Sequence, residues 1–313
     1  MKTKKLTVTV GIPAYNEEGN IELLLNSILS QTRKKYILTE VLVLSDGSTD
    51  QTDSKVLKLT KKNPFVKLIV DGKRLGKSKR LMQLYKMNRS DIFIQLDADV
   101  VLSHRSGFDN LIKPFQNTKV TLVSGDRIPL GEDNFSARLI LNRDKLWRKV
   151  RLSIEDKDRI VNCFGCILAM RASFAKSLVL NPQITSESPL IYCEARRHDL
   201  KFCFVPEATV YYRLPATFRD YFKYSKRSSD EHSLLTKHFG SQVENYYEIP
   251  RNSKIRALFT SLFQDPYYTI ASTLVFTLFQ HLPYKSADEL KRNGLWETVK
   301  STKTGIHLNK IHN

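Results

Sequence analysis

Asp97-Ala98-Asp99 closes the apolar run Ile92-Phe93-Ile94-Gln95-Leu96. Two carboxylates at i and i+2, just past a buried strand, can share one hard cation through oxygen ligands. A Mg2+ or Mn2+ ion there would neutralise a diphosphate and stabilise it as a leaving group. Taken alone, the triplet also suits a solvated turn. Asp46-Gly47-Ser48-Thr49-Asp50 offers a similar choice. It is either a turn that caps a helix, or a loop in which Asp46 accepts hydrogen bonds from a nucleobase. Pro13-Ala14-Tyr15-Asn16-Glu17 can likewise be a plain strand-to-helix loop, yet its tyrosine and acids suit a base and a ribose.

The turn Gly72-Lys73-Arg74-Leu75-Gly76-Lys77-Ser78 follows an apolar run and opens a helical one. It holds one residue fewer between its glycines than a phosphate-binding P-loop requires. Ile92 to Asp97 imitates the acidic strand that accompanies such a loop, so an NTPase is the main enzymatic rival. That reading leaves Asn16, Asp46 and Asp99 without a task.

The elements that must position these residues follow from periodicity. Leu6 to Ile12, Val41 to Leu44, Val66 to Val70 and Ile92 to Leu96 read as strands. Ile21, Leu24, Leu25 and Ile28 have helical spacing, and further helices are expected from about Thr49 to Lys62 and after Lys77. Alternating strands and helices imply a parallel sheet covered on both faces. Ligands of such sheets bind beyond the carboxyl ends of the strands. Asn16, Asp46 and the Asp97–Asp99 pair all fall there. More strands are expected at Val120 to Ser124, Gly165 to Met170 and Phe202 to Val205. Past Arg219 the pattern becomes helical, basic and aromatic, which divides the chain into an α/β unit, residues 1–230, and an appendage, 231–313.

Ile12 to Glu18, Ser45 to Asp50, Gly76-Lys77 and Asp97 to Asp99 stand in the order and near the spacing of one family. Together they resemble the family 2 glycosyltransferases of GT-A fold. The resemblance implies a Rossmann-like, mixed but mainly parallel sheet flanked by helices. It also implies a nucleotide cradled by Pro13, Ala14, Tyr15, Asn16, Glu17 and Asp46, with Lys77 nearby. Asp97 would lie close to the ribose and, with Asp99, on a Mg2+ or Mn2+ ion. Gly165 matches the glycine beside the sugar and acceptor. Glu187 stands in the family's acidic pair, although Ser188 replaces the second acid. An inverting transfer to a hydroxyl needs a base, and Glu187 is the candidate; an acceptor that is already a phosphate needs no strong one. Tyr221 to Arg227 resembles the family's QxxRW segment with its glutamine and tryptophan lost. Arg227 is the candidate clamp for the departing diphosphate, because guanidinium holds phosphate bidentately. The implied reaction is metal-dependent, inverting transfer from a UDP- or GDP-linked sugar to a lipid phosphate or a saccharide.

The 313 residues carry a formal net charge of +18, which implies an anionic partner. Basic residues are spread over many segments without an RRM, KH or zinc-finger signature, which speaks against a nucleic-acid-binding protein. The four cysteines are too few and too irregular for a disulfide framework. Cys163 and Cys166 read as packing residues of a buried strand, and His232 and His238 are structural. Neither a GxSxG elbow nor an HExxH pair is present. Met1 to Lys5 is basic, but the apolar stretch behind it is too short for a signal peptide, which leads us to expect a cytoplasmic chain. Pro266 to Tyr284 holds no Lys, Arg, Asp or Glu. Its Thr, Ser, Gln and His make it a poor span, and Arg251, Lys254, Arg256, Lys285 and Lys291 flank it. A helix on an anionic membrane surface or against the catalytic unit is expected. Gly294 to Lys303 also looks like the close of some membrane-associated family members.

Overall fold

A computed structural model describes residues 5–131, 133–181, 186–279, 303 and 305, with only the backbone for 223–231 and 279. Lys285, Lys291 and the Gly294–Thr302 segment lie outside the described residues.

Eight strands form one sheet: β1 (Leu6–Ala14), β2 (Tyr36–Ser45), β3 (Val66–Ile69), β4 (Ile92–Leu96), β5 (Val100–Leu102), β6 (Val120–Leu130), β7 (Ile167–Arg171) and β8 (Lys201–Arg213). Their spatial order is β3-β2-β1-β4-β7-β6-β8-β5. Pairing is parallel from β3 through β4, antiparallel on both sides of β7, parallel between β6 and β8, and antiparallel at β5. The sheet is therefore mixed, as expected, with its parallel half at the amino-terminal end. β2 and β4 leave β1 on opposite sides, which opens a crevice at the carboxyl ends of β1 and β4.

Side chains alternate across these strands. Val8, Val10, Ile12, Ile92, Ile94 and Leu96 pack on one face against Leu24, Leu25 and Ile28 of α1 (Ile21–Leu29). Leu42, Leu44, Phe93 and Leu168 pack on the other against Leu81 and Leu84 of α3 (Lys77–Met87) and Ile191 of α7 (Glu187–Arg197).

Two local expectations need correction. The helix α2 (Thr52–Thr60) starts three residues late. The amides of Thr49, Gln51 and Thr52 are bound instead by the side chains of Asn16, Glu18 and Asp50. Cys163 and Cys166 are not strand residues: they lie between a 3-10 turn, Ile160–Asn162, and β7. There Phe164 N–H bonds to the Ser124 hydroxyl and Gly165 C=O accepts from Gln95, so side chains take the place of a ladder. Both cysteines are unpaired, and Cys163 is buried.

The remaining helices are α4 (Gly107–Ile112), α5 (Phe135–Ser153), α6 (Ala172–Ser177), α8 (Phe218–Phe239), α9 (Gln242–Tyr247), α10 (Arg251–Gln264) and α11 (Pro266–Phe279). Residue 230 falls inside α8, whose Leu235 and Phe239 join the second core cluster. His232 pairs with Glu244 at 3.2 Å and packs on Tyr247, while His238 packs on Phe239. Helices α10 and α11 lie against α5.

Candidate active site

The crevice collects residues from five places in the chain. Asp97 follows β4, Lys77 opens α3, Glu187 opens α7, Gly165 precedes β7, and Tyr15 to Glu17 follow β1. Lys77 Nζ stands 2.6 Å from Asp97 Oδ1 and 2.7 Å from Glu187 Oε1. Burial opposes its charge, but the Asp97 and Glu187 carboxylates outweigh that and hold the ammonium well above its ordinary pKa. Glu187 is 5% exposed. It also accepts from Gln95 Nε2 at 3.0 Å, and it lies in the first turn of its helix, where the dipole favours an anion.

Gln95 was not singled out from the sequence. It interrupts the apolar β4, bonds Gly165 C=O and Glu187, and accepts from the Tyr85 hydroxyl at 2.6 Å. A lone amide in a fully buried strand is the signal that marks it. A Cβ on Gly165 would stand 2.5 Å from Glu187 Oε1, so only glycine admits the carboxylate here.

Burial first, then the neighbouring Asp97, raises the Asp99 carboxyl above its usual range. Glu17 is raised to about 7 by burial and then by Asp99. Lys303, another residue that sequence reasoning missed, counters this: its ammonium contacts Glu17 Oε1 and donates to Tyr15 C=O at 3.1 Å. The approach is close, since a Cβ on Gly19 would fall 2.5 Å from Lys303 C=O. Among the described residues, no three His, Cys, Asp or Glu side chains form a ready metal cage. Asp97 and Asp99 offer two carboxylates on one short loop, which fits an ion that takes its other oxygens from a diphosphate and water.

Asn16 and Asp46 are committed to the protein in this structure. Asn16, at φ 50°, bonds the Thr49 amide and hydroxyl, and with the Glu17 amide on Thr52 it stitches the first loop to the second. Asp46 accepts from the amides of Leu75 and Gly76 and from Arg80 Nε at 2.8 Å. Arg80 is fully buried and grips Asp71 with two 2.7 Å bonds. The Leu75 and Gly76 amides of the Gly72–Ser78 turn are thus spent on Asp46. Arg74 lies over the Tyr15 ring at 3.4 Å. Pro13 and Ala14 are the last residues of β1 and pair with Leu44 and Ser45. Arg227 lies in α8, its side chain outside the described residues.

Arg127 and Arg151 stand 4.8 and 4.5 Å from the ring of Phe164, the residue before Gly165. Arg151 and Arg148 pair with the buried Asp126.

The sheet order and the acid-lined crevice define a GT-A nucleotide-diphospho-sugar transferase fold. Residues 9–178 match the profile of "Glycosyl transferase family 2", and the chain belongs to that family. Over 95 residues it is 35% identical to a dolichol-phosphate mannosyltransferase of Pyrococcus furiosus, covering 30% of this chain and 26% of that protein. Over 119 residues it is 28% identical to poly-beta-1,6-N-acetyl-D-glucosamine synthase of Staphylococcus aureus, covering 38% of this chain and 28% of that one. The match thus spans about a quarter of these relatives' lengths. The mannosyltransferase PcManGT of Pyrobaculum calidifontis, solved with GDP-Man and Mn2+, superposes with a TM-score of 0.59 at 20% identity, covering 93% of this chain and 80% of that one. Glucosyl-3-phosphoglycerate synthase of Mycobacterium tuberculosis, solved with Mn2+ and UDP, superposes at 0.51 with 17% identity, covering 75% and 80%.

Proposed function

We propose that the chain transfers a sugar from a UDP- or GDP-linked donor to an acceptor oxygen, with inversion at the anomeric carbon. The observation that carries this is the Asp97–Lys77–Glu187 bridge, set beside Asp99 and Gly165 at the carboxyl ends of the strands. The nucleotide is placed against Pro13 to Glu17 and the turn that Asp46 holds. Mg2+ or Mn2+ on Asp97 and Asp99 would neutralise the diphosphate.

Lys77 is the exchangeable part of the machinery. As the diphosphate enters, its ammonium turns from Glu187 to the phosphates, and Glu187 is left as a carboxylate. The acceptor oxygen then attacks the anomeric carbon opposite the diphosphate. The bond from that carbon to the phosphate oxygen breaks, its electron pair leaves with the diphosphate, and a hydroxyl acceptor gives its proton to Glu187. Arg227 is retained as the clamp on the departing diphosphate. Arg127, beside Phe164, suits an acceptor that is itself a phosphate.

Thermal unfolding with UDP, GDP and their sugar conjugates, with and without Mn2+, tests the reading. Ligand at about 100 times its Kd should stabilise the chain by about 2.7 kcal/mol. A metal-dependent shift that Asp99→Ala abolishes is expected. No shift with any of these nucleotides, but one with ATP and Mg2+, would overturn it.

A further inference from the structure

Helices α10 and α11 bury the wrong residues for a protein with water on that side. In α10 the buried positions are Ser253, Ala257 and Ser261, whereas Ile255, Phe259 and Phe263 are 50, 69 and 92% exposed. At about 100° per residue the two sets lie on opposite faces. In α11, Thr269 and Ser272 are fully buried, whereas Ile270, Leu274 and Leu278 are 52, 61 and 70% exposed.

Phe276 turns inward onto Phe218 and Tyr221, and Ala257 joins Leu146 and Val150, but other inward contacts are polar. Ser261 accepts from Lys149 at 2.9 Å, and Ser272 donates to Asn142 Oδ1 at 2.9 Å. Single exposed apolar side chains are ordinary. A stripe of them along two neighbouring helices, backed by hydroxyls, is a different matter. Small and hydroxyl residues at helix contacts, with large apolar ones outward, is the arrangement that lipid favours.

Charge selects the partner. Arg251, Lys254 and Arg256 are exposed on α10, while α11 carries no charged residue. That combination matches an apolar layer bordered by anionic headgroups. Helix α10 has 14 residues and is about 21 Å long, short of the roughly 30 Å of a bilayer core. No described helix is long and apolar enough to cross a membrane.

We propose that the outward face of α10 and α11 docks on an anionic lipid bilayer, lying flat at the boundary between headgroups and acyl chains. This stands apart from the sugar-transfer reading, since none of these residues belongs to the crevice.

The test is co-sedimentation of the full chain with vesicles of phosphatidylcholine, alone or mixed with phosphatidylglycerol. The wild type should bind the mixed vesicles, and Phe259→Ser/Phe263→Ser/Leu274→Ser should weaken binding by at least about tenfold. Lys254→Glu/Arg256→Glu should weaken binding to the mixed vesicles alone. The nucleotide-induced thermal shift should survive in both variants, which separates failure of this proposal from failure of the transfer reading. A wild type that binds neither vesicle overturns the proposal, as does a serine variant that binds like the wild type. Self-association abolished by the serine substitutions, with no lipid bound, overturns it in favour of a second copy. Should the serine variant misfold, Phe263→Trp decides. A blue shift of its emission on adding mixed vesicles supports docking, and an unchanged spectrum refutes it.

Discussion

Helix α3 sends two cations, one turn apart, into two acidic clusters that look alike on paper and behave as opposites. Arg80 lies between Asp46 and Asp71, and Lys77 between Asp97 and Glu187. The Arg80 side chain is fully buried, and its donors end on Asp46, Asp71, Gln83 and the Lys73 carbonyl. Its planar fork is saturated and has nothing to offer a ligand. The Lys77 side chain is 38% exposed and holds its two acids as a point charge, which the proposed mechanism has a diphosphate reclaim. Acids near a crevice are thus not equivalent. Those closed by guanidinium and backbone amides set the shape of the loop, and those closed by an ammonium at the rim remain available to chemistry.

The contrast breaks most sharply at Arg80. Arg80→Met leaves Asp46 buried without its charge partner and should lower stability by about 3–5 kcal/mol, read from urea unfolding. An unchanged midpoint would mean that the cluster is not structural. Asp99→Asn should leave the midpoint nearly unmoved yet cut sugar transfer by about 10²–10³-fold, or about 2.7–4 kcal/mol of barrier. Full activity in that variant would remove Asp99 from the metal site. Lys77→Met should cost about tenfold to a hundredfold in kcat and lower the thermal midpoint less than Arg80→Met, because its ammonium is part-exposed. Should the midpoint collapse instead, Lys77 belongs with Arg80.

The smallest effect concerns pH. Glu17 is raised from 4.5 to about 7 in the fold. Between those values the folded chain binds more protons there than the unfolded one. Stability without ligand should therefore fall as pH rises through that window, by about 1–3 kcal/mol. Glu17→Gln should flatten this slope in urea titrations at several pH values, and an unaltered slope would show that Lys303 already keeps the carboxyl ionised.

Much of the crevice was legible beforehand because it is local. Each loop follows an apolar strand, and a parallel sheet brings the carboxyl ends of such strands to one edge. Gln95 and Glu187 were harder to connect, being 92 residues apart. Lys303 reaches Glu17 from 286 residues away. Pairings across such separations leave no periodicity to read. Asp46 illustrates the same limit: its motif is visible, but the partners that claim its oxygens come from the next loop and from Arg80.

The sequence by itself determined the alternation of strands and helices, the family motifs at the strand ends and the uncharged stretch in α11, since each depends on neighbours within a turn or a strand. Tertiary structure decided which cation meets which acid, why residue 165 is glycine, and that α10 and α11 turn their hydroxyls inward. Those outcomes depend on burial and on contacts between distant segments, which exist only once the sheet has brought them together.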